Sequence, residues 1–142
     1  MSFRNAHPLL QASAVPYRYR DEAPEFCLIT SFRGGRWGFP KGISDPGETP
    51  LETALKEADE EAGLHGRIEG DPLGEYEYSK WGTVLAVTVY LMRVTAVDED
   101  WEEAGVRRRR WCRAGEAREM LHREELRGML DAAMERIGRA GG

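Results

Sequence analysis

Short apolar runs bounded by Gly, Pro and charged residues recur along the chain and predict β-strands. The first two runs are separated by the polar stretch 21–24. In the longest run both alternating faces are mainly apolar, so we expect that strand to be buried between two layers. The predicted strands cover residues 12–19, 26–31, 72–81, 83–97 and 107–112.

The most regular helical pattern covers residues 49–62. Thr49 is a suitable N-cap, Pro50 suits the first helical position, and Glu52 completes a capping box. Gly63 predicts the end of the helix. Apolar residues at helical spacing are expected to face the core, namely Leu51, Leu55, Ala58 and Ala62.

The order of the elements indicates an α/β fold. Two further helices are predicted at residues 114–121 and 123–137. Strands followed by a helix, and then strands followed by helices, are typical of a mixed sheet between helical layers. We therefore expect an α/β/α sandwich with a mixed β-sheet. The length of 142 residues suits one compact domain, so a single domain over residues 1–142 is expected.

Composition excludes several classes of protein. Apolar residues make up 41% of the chain and charged residues 32%, which is not the composition of a disordered protein. No apolar run approaches about 18 residues, so no membrane span is expected. Residues 1–11 lack the pattern of a secretory signal, and Cys27 and Cys112 have no metal-ligand spacing. We expect two buried free thiols and a cytoplasmic protein.

Negative charge is concentrated in one segment. The formal net charge is −5, which argues against general nucleic-acid binding, but residues 45–61 contain seven carboxylates and one basic residue, a local charge of −6. There Glu57, Glu60 and Glu61 are spaced i, i+3, i+4 and lie on one side of the predicted helix. Their repulsion costs about 0.2–0.5 kcal/mol per pair. A hard divalent cation would relieve it, whereas the alternative interpretation is a solvated helix face.

The spacing of these residues matches a known motif. Residues 42–64 have the sequence GISDPGETPLETALKEADEEAGL. This segment resembles the Nudix box, whose pattern is G-x5-E-x7-R-E-U-x-E-E-x-G-U, with U a bulky aliphatic residue. The preceding residues 37–42, WGFPKG, are similar to the lead-in of several Nudix subfamilies. The matching positions are Gly42, Glu48, Glu57, Glu60, Glu61, Gly63 and Leu64.

The Nudix resemblance implies an activity and a set of site residues. It implies metal-dependent hydrolysis of a nucleoside diphosphate linked to another moiety, or of a related pyrophosphate, with Mg²⁺ or Mn²⁺ as cofactor. Glu57, Glu60 and Glu61 are the expected metal ligands, together with the backbone carbonyl of Lys41. For the general base we favour Glu60, then Glu57, with Glu103 from the loop 98–105 as a further candidate.

Other positions in the motif are expected to support the site. Glu48 is expected to bond loop amides or Lys56, and Gly42 to permit a tight turn. Lys56 stands where the family usually has Arg, so the positive charge is kept and the bidentate geometry is lost. Ala58 stands where a larger aliphatic residue is common, which implies a closer helix contact.

Basic residues around the motif suggest an anionic substrate, since guanidinium groups bind phosphate oxygens. We expect Arg33, Arg36, Lys41 and Arg108 to contact substrate. Arg108 belongs to the run 107–110, in which strand alternation would point two of the four side chains into a cleft. This arrangement is similar to the diadenosine polyphosphate and diphosphoinositol polyphosphate hydrolase branch of the family, and such a compound is the best candidate substrate.

Other functions stay open at this point. Nucleotide sugars, nucleoside triphosphates and the 5′ end of RNA are also substrates of Nudix enzymes. A non-hydrolytic, nucleotide-sensing Nudix-like binding module is an alternative of a different class. Metal-dependent turnover would distinguish an enzyme from a sensor. We expect a small-molecule phosphoanhydride as the partner, no membrane association, and a possible homodimer.

Overall fold

A computed structural model describes residues 8–141 of the chain. Its helices are α1 (Pro50–Ala62), α2 (Ala114–Met120) and α3 (Glu124–Gly141). Its strands are β1 (Leu9–Arg20), β2 (Ala23–Thr30), β3 (Trp37–Gly38), β4 (Lys41–Ile43), β5 (Leu64–Ile68), β6 (Gly74–Lys80), β7 (Thr83–Val97) and β8 (Arg109–Arg113).

The strands form a mixed sheet. Its central path runs β3-β2-β1-β7-β5, and β4, β6 and β8 pair with β1, β7 and β2 respectively. The long strands β1 and β7 are parallel, with Leu9 opposite Leu85 and Tyr17 opposite Arg93. The other pairs are antiparallel. The sequence prediction of a mixed sheet is confirmed.

Helices cover both faces of this sheet. On one face, Val89 and Leu91 of β7 belong to the same apolar cluster as Leu130 of α3. On the other face, Tyr90 and Met92 of β7 belong to a cluster with the alanines of α1. Strand β7 is therefore buried between two layers, as its two apolar faces predict, and the α/β/α sandwich is confirmed.

The N-terminal hairpin is tighter than the sequence prediction. Asp21 and Glu22 both adopt positive φ, 50° and 64°, and form a two-residue turn. Strand β2 begins at Ala23, which pairs with Arg20 of β1. Of the polar residues 21–24 that separate the two predicted strands, only Asp21 and Glu22 form the turn, and Ala23 and Pro24 extend β2.

Helix α1 begins and ends as predicted. The Thr49 side chain accepts from the Glu52 amide, and the Glu52 carboxylate accepts from the Thr49 amide. Gly63 ends the helix in the left-handed conformation. The predicted apolar stripe is partly wrong, because Leu51 is 39% exposed. Small side chains face the sheet instead and allow the helix to approach it closely, namely Thr53, Ala54, Ala58 and Ala62.

The remaining sequence predictions about the fold have mixed outcomes. Cys27 and Cys112 are buried free thiols, as expected. The short strands β3, β4 and β5 are additional to the prediction. Among residues 8–141, none of the three helices has the length and apolar character that a membrane span requires.

Candidate active site

Strand β4 and helix α1 bring the central carboxylates together. The Lys41 amide donates to Oε1 of Glu61 over 3.1 Å. The carboxylate of Glu57 lies over the backbone of Gly42, so close that a Cβ at that position would be 2.6 and 2.7 Å from its two oxygens. Gly42 is therefore needed because the carboxylate occupies the space of a side chain, in addition to any role in the turn.

These carboxylates are held in an environment that disfavours their charge. Burial raises the pKa of Glu61 to about 8, against the opposing effect of the Arg107 guanidinium. Burial likewise raises the pKa of Glu57. The pKa of Glu60 is raised by burial and by the neighbouring Glu102 carboxylate. Clustered carboxylate oxygens whose negative charge is disfavoured by burial fit a hard divalent cation.

A loop between β7 and β8 is bonded to the end of α1. The Glu103 amide donates to the Glu60 carbonyl over 3.1 Å. Arg107, four residues later, donates from Nε to Glu103 Oε1 over 2.6 Å, and its Nη2 lies 3.2 Å from Glu61 Oε2. Its Nη1 donates to the Thr30 carbonyl over 3.0 Å. Arg107 thus links the loop, strand β2 and the carboxylates of α1.

Glu48 and Lys56 form a separate polar group beside the start of α1. Lys56 Nζ donates to Asp45 and to Glu48, each over 2.8 Å. Glu48 also accepts from the Asp45 amide and from the Thr53 hydroxyl. The bond from Lys56, followed by that from Thr53, lowers the pKa of Glu48 to about 2. These contacts fix the loop 44–49 against the helix.

A cavity of about 500 Å³ lies next to the carboxylates. Lys41 and Glu61 line it, so the cavity adjoins the acidic cluster formed by Glu57, Glu60 and Glu61. Other basic groups along it are Arg36, Lys80, Arg107 and Arg123. Its aromatic walls are Phe32, Trp37, Phe39, Tyr76 and Tyr78. A volume of this size, with aromatic walls and converging charged groups, is typical of a small-molecule site.

Comparison with known proteins assigns the chain to a family. A family model described as the NUDIX domain matches residues 9–133, which is most of the chain. The chain belongs to the Nudix family. The resemblance inferred from the Nudix box is confirmed.

Individual relatives agree with this assignment. Nudix hydrolase 17, mitochondrial, of Arabidopsis thaliana is 33% identical over 132 residues, covering 87% of this chain and 72% of that protein. Diphosphoinositol polyphosphate phosphohydrolase 3-alpha of Homo sapiens is 35% identical over 114 residues, covering 78% and 68%. A C. elegans Ap4A hydrolase binary complex has a TM-score of 0.78 at 26% identity, covering 94% of this chain and 99% of that one.

The match with the curated relatives is incomplete in length. Nudix hydrolase 4 of Arabidopsis thaliana is 34% identical over 128 residues, which are 83% of this chain and 61% of that protein. The chain spans between half and about three quarters of the curated relatives that it matches.

Only two of the four predicted substrate-binding residues line the cavity. Arg36 and Lys41 line the cavity, whereas Arg33 and Arg108 are not among the lining residues. Arg33 lies near the Phe32 ring, with 5.6 Å from guanidinium to ring centroid. The Arg108 guanidinium lies 5.3 Å from the centroid of the Trp37 ring, which lines the cavity.

The sequence analysis did not single out several residues of the cavity wall. Lys41 Nζ donates to the Tyr78 hydroxyl over 2.9 Å, and that hydroxyl donates to Gln11 over 2.8 Å. The Arg123 guanidinium lies 5.6 and 5.1 Å from the ring centroids of Tyr76 and Tyr78. Two tyrosines spaced i, i+2 in a predicted strand share a face, which was the available signal.

A second group of possible metal ligands lies on the outer side of α1. One ligand atom from each of Asp59, His65 and Asp98 lies within 4.8 Å of the others. His65 Nε2 is 2.7 Å from Asp98 Oδ2 and 3.6 Å from Asp59 Oδ1. The hydrogen bond to Asp98 raises the pKa of His65. These side chains pair with one another and do not line the cavity.

Proposed function

We propose that this Nudix protein is a pyrophosphohydrolase that cleaves a phosphoanhydride bond in a polyphosphate substrate with Mg²⁺ or Mn²⁺. The observation that carries the proposal is the position of Glu61, which belongs to the acidic cluster, accepts a hydrogen bond from the Lys41 amide and also lines the basic cavity. A cation site therefore adjoins a site for an anionic molecule, as metal-dependent phosphoanhydride hydrolysis requires.

Glu57 and Glu61 are the residues proposed to bind the cation, with Glu60 and the Lys41 carbonyl as further ligands. Burial of Glu61 and partial burial of Glu57 raise the pKa values of both, so a bound cation would compensate charge that burial disfavours. When bound, a divalent cation neutralises phosphate charge and lowers the pKa of water.

A carboxylate of this chain is proposed to remove the proton from the attacking water. Glu60 is the first candidate, because it lies on the same side of α1 as Glu57 and Glu61 and is only partly buried. Its pKa is raised, which makes it a stronger base than an ordinary glutamate. Glu57 and Glu103 are the other candidates.

The cavity is proposed to bind the polyphosphate and one end group of the substrate. Arg36, Lys41 and Arg123 line the cavity and supply positive charge for the phosphates. A diadenosine polyphosphate or a diphosphoinositol polyphosphate suits this charge. The aromatic walls favour the diadenosine compound, because an adenine ring can stack on them.

A substrate panel tests the proposal. Purified protein is incubated with diadenosine polyphosphates, diphosphoinositol polyphosphates, nucleotide sugars and nucleoside triphosphates, with Mg²⁺, with Mn²⁺ and with EDTA. We expect cation-dependent cleavage that is fastest for one of the first two classes. Glu60→Gln and Glu61→Gln should lower kcat by at least about 100-fold without unfolding the protein. The matched control is Asp59→Asn, which removes a carboxylate from the outer side of the same helix.

Two results would contradict this function. Near-normal cation-dependent activity in both glutamine variants would contradict the roles proposed for Glu60 and Glu61. Tight nucleotide binding without turnover of any compound would instead favour a nucleotide-sensing module. The cytoplasmic location and the homodimer stay predictions, and relatives named as mitochondrial or chloroplastic proteins also match this chain.

A further inference from the structure

Arg107 makes two hydrogen bonds and one ion pair where the acidic cluster meets the loop 98–106. Its Nε, Nη1 and Nη2 face Glu103, the Thr30 carbonyl and Glu61 respectively. The Arg107 side chain is 13% exposed, compared with 9% for Glu61 and 22% for Glu103. A guanidinium has its donors in one rigid plane, so the two hydrogen bonds fix the Glu103 carboxylate relative to strand β2, and the ion pair holds the same guanidinium beside Glu61.

Glu103 and Glu61 differ in how else they are held. Glu61 projects from a helix and also accepts from the Lys41 amide. Glu103 is on a loop, and within residues 8–141 the hydrogen bond to its carboxylate comes from Arg107. The backbone of Glu103 is bonded to the Glu60 carbonyl, so the loop already places this residue beside the cluster. Arg107 therefore determines where the Glu103 carboxylate points.

We propose that Arg107 is a positioning residue, which aligns the Glu103 carboxylate with Glu61 for the hydrolytic reaction. This inference rests on the proposed function. It assigns Arg107 an effect on kcat exerted through Glu103, although the residue also lines the cavity. An arginine that only bound substrate phosphate would act mainly on KM, and one that only supported the fold would act on stability.

A double-mutant cycle tests this inference with diadenosine tetraphosphate and Mg²⁺. The variants are Arg107→Met, Glu103→Gln and the two combined. We expect Arg107→Met to lower kcat by about 100-fold with KM changed less than about threefold. In the Glu103→Gln background the same change should cost less than about threefold, because the partner is already lost. Arg107→Lys should restore part of kcat, since it keeps the charge but not the planar contacts.

Two measurements on the same variants need no substrate. Mn²⁺ binding, followed by calorimetry, should be no weaker in Arg107→Met than in the wild type, because the metal-binding carboxylates are retained. Hydrogen–deuterium exchange of residues 99–106 should be at least about tenfold faster, because the loop loses its side-chain anchor. Arg110→Met is the matched control, since Arg110 is on the neighbouring strand and pairs with Glu116 at the surface.

Each of four results would overturn the inference. They are a rise in KM with kcat unchanged, additive effects in the cycle, loss of Mn²⁺ binding in Arg107→Met, and unchanged exchange in the loop. Failure of the proposed function gives a different result, namely wild-type protein that binds Mn²⁺ but cleaves no compound of the panel. In that case the loop exchange still decides whether Arg107 positions Glu103.

Discussion

Substitution of Gly42 by alanine tests the geometry of the acidic cluster directly. Gly42 has no positive φ, so alanine is compatible with its backbone conformation. Its added Cβ would lie 2.6 and 2.7 Å from the two carboxylate oxygens of Glu57, where ordinary contact begins at 3.4 Å. The carboxylate must therefore move by roughly 1 Å, and a displacement of that size at a reacting centre costs about 100-fold in rate.

Gly42→Ala should lower activity much more than it lowers stability. A 100-fold loss corresponds to about 2.7 kcal/mol in the activation free energy. The folded protein should change little, because the displaced group ends a flexible side chain. An off-rotamer Glu57 costs about 0.5–1.5 kcal/mol. Alanine in place of glycine restricts the unfolded chain, which raises the free energy of unfolding by about 0.4–1 kcal/mol. We expect Gly42→Ala to raise the Mg²⁺ concentration for half-maximal activity and to lower kcat.

The assay compares kcat, Mg²⁺ half-saturation and urea unfolding for Gly42→Ala and a matched glycine variant. Gly128 lies within α3, and a Cβ there would meet no atom within 4 Å. Gly128→Ala should leave kcat unchanged and stabilise the fold by up to about 1 kcal/mol. If Gly42→Ala retains wild-type kcat and Mg²⁺ dependence, or loses activity only because it unfolds, the steric reasoning is wrong.

Three further predictions concern charged residues around α1. Lys56→Arg should retain or raise kcat, because the guanidinium can bond both carboxylates that Lys56 bonds; a loss above about tenfold, ~1.4 kcal/mol, would contradict this. In EDTA, the free energy of unfolding should fall as pH rises from 4.5 to about 8, because folded Glu61 keeps a proton that the unfolded chain releases. Urea titrations across that range should show a smaller slope for Glu61→Gln, and equal slopes would refute the assignment. Arg109→Met should lower the free energy of unfolding by about 1.5–3 kcal/mol, because the Ala62 and Asp98 carbonyls lose a charged donor; unchanged thermal unfolding would disagree.

Elements with local signals could be predicted from the sequence. Helix α1 has its cap, its first-turn proline and its terminal glycine within 15 residues, and all three act as expected. Strand β5 had no such signal, since it has five residues and contains Gly66. It forms because β7 offers an unpaired edge, and Gly66 permits the backbones to approach closely beside a bulge. Pairing of this kind depends on tertiary structure and leaves little trace in the strand itself.

The same distinction applies to the candidate site. The glutamates of α1 could be chosen from their spacing, because helix geometry alone places them together. The sequence could not show which of the four arginines 107–110 point toward the site, although alternation in a strand predicts two faces. Strand β8 begins only at Arg109, so Arg107 lies in the preceding loop and is directed by its bonds to Thr30 and Glu103. Identical side chains in sequence therefore acquire different surroundings through the fold.

The acidic segment 45–61 shows how local pairing identifies the residues that remain for function. Glu52 bonds the start of the helix, Glu48 and Asp45 bond Lys56, and Asp59 faces His65. The other three carboxylates are those of Glu57, Glu60 and Glu61; Glu61 is paired with Arg107, yet all three have raised pKa values. Since structural pairs have already used the other charges, the net charge of −5 says little about the partner. These three clustered carboxylates favour a cation, and the basic wall that adjoins them favours an anionic substrate.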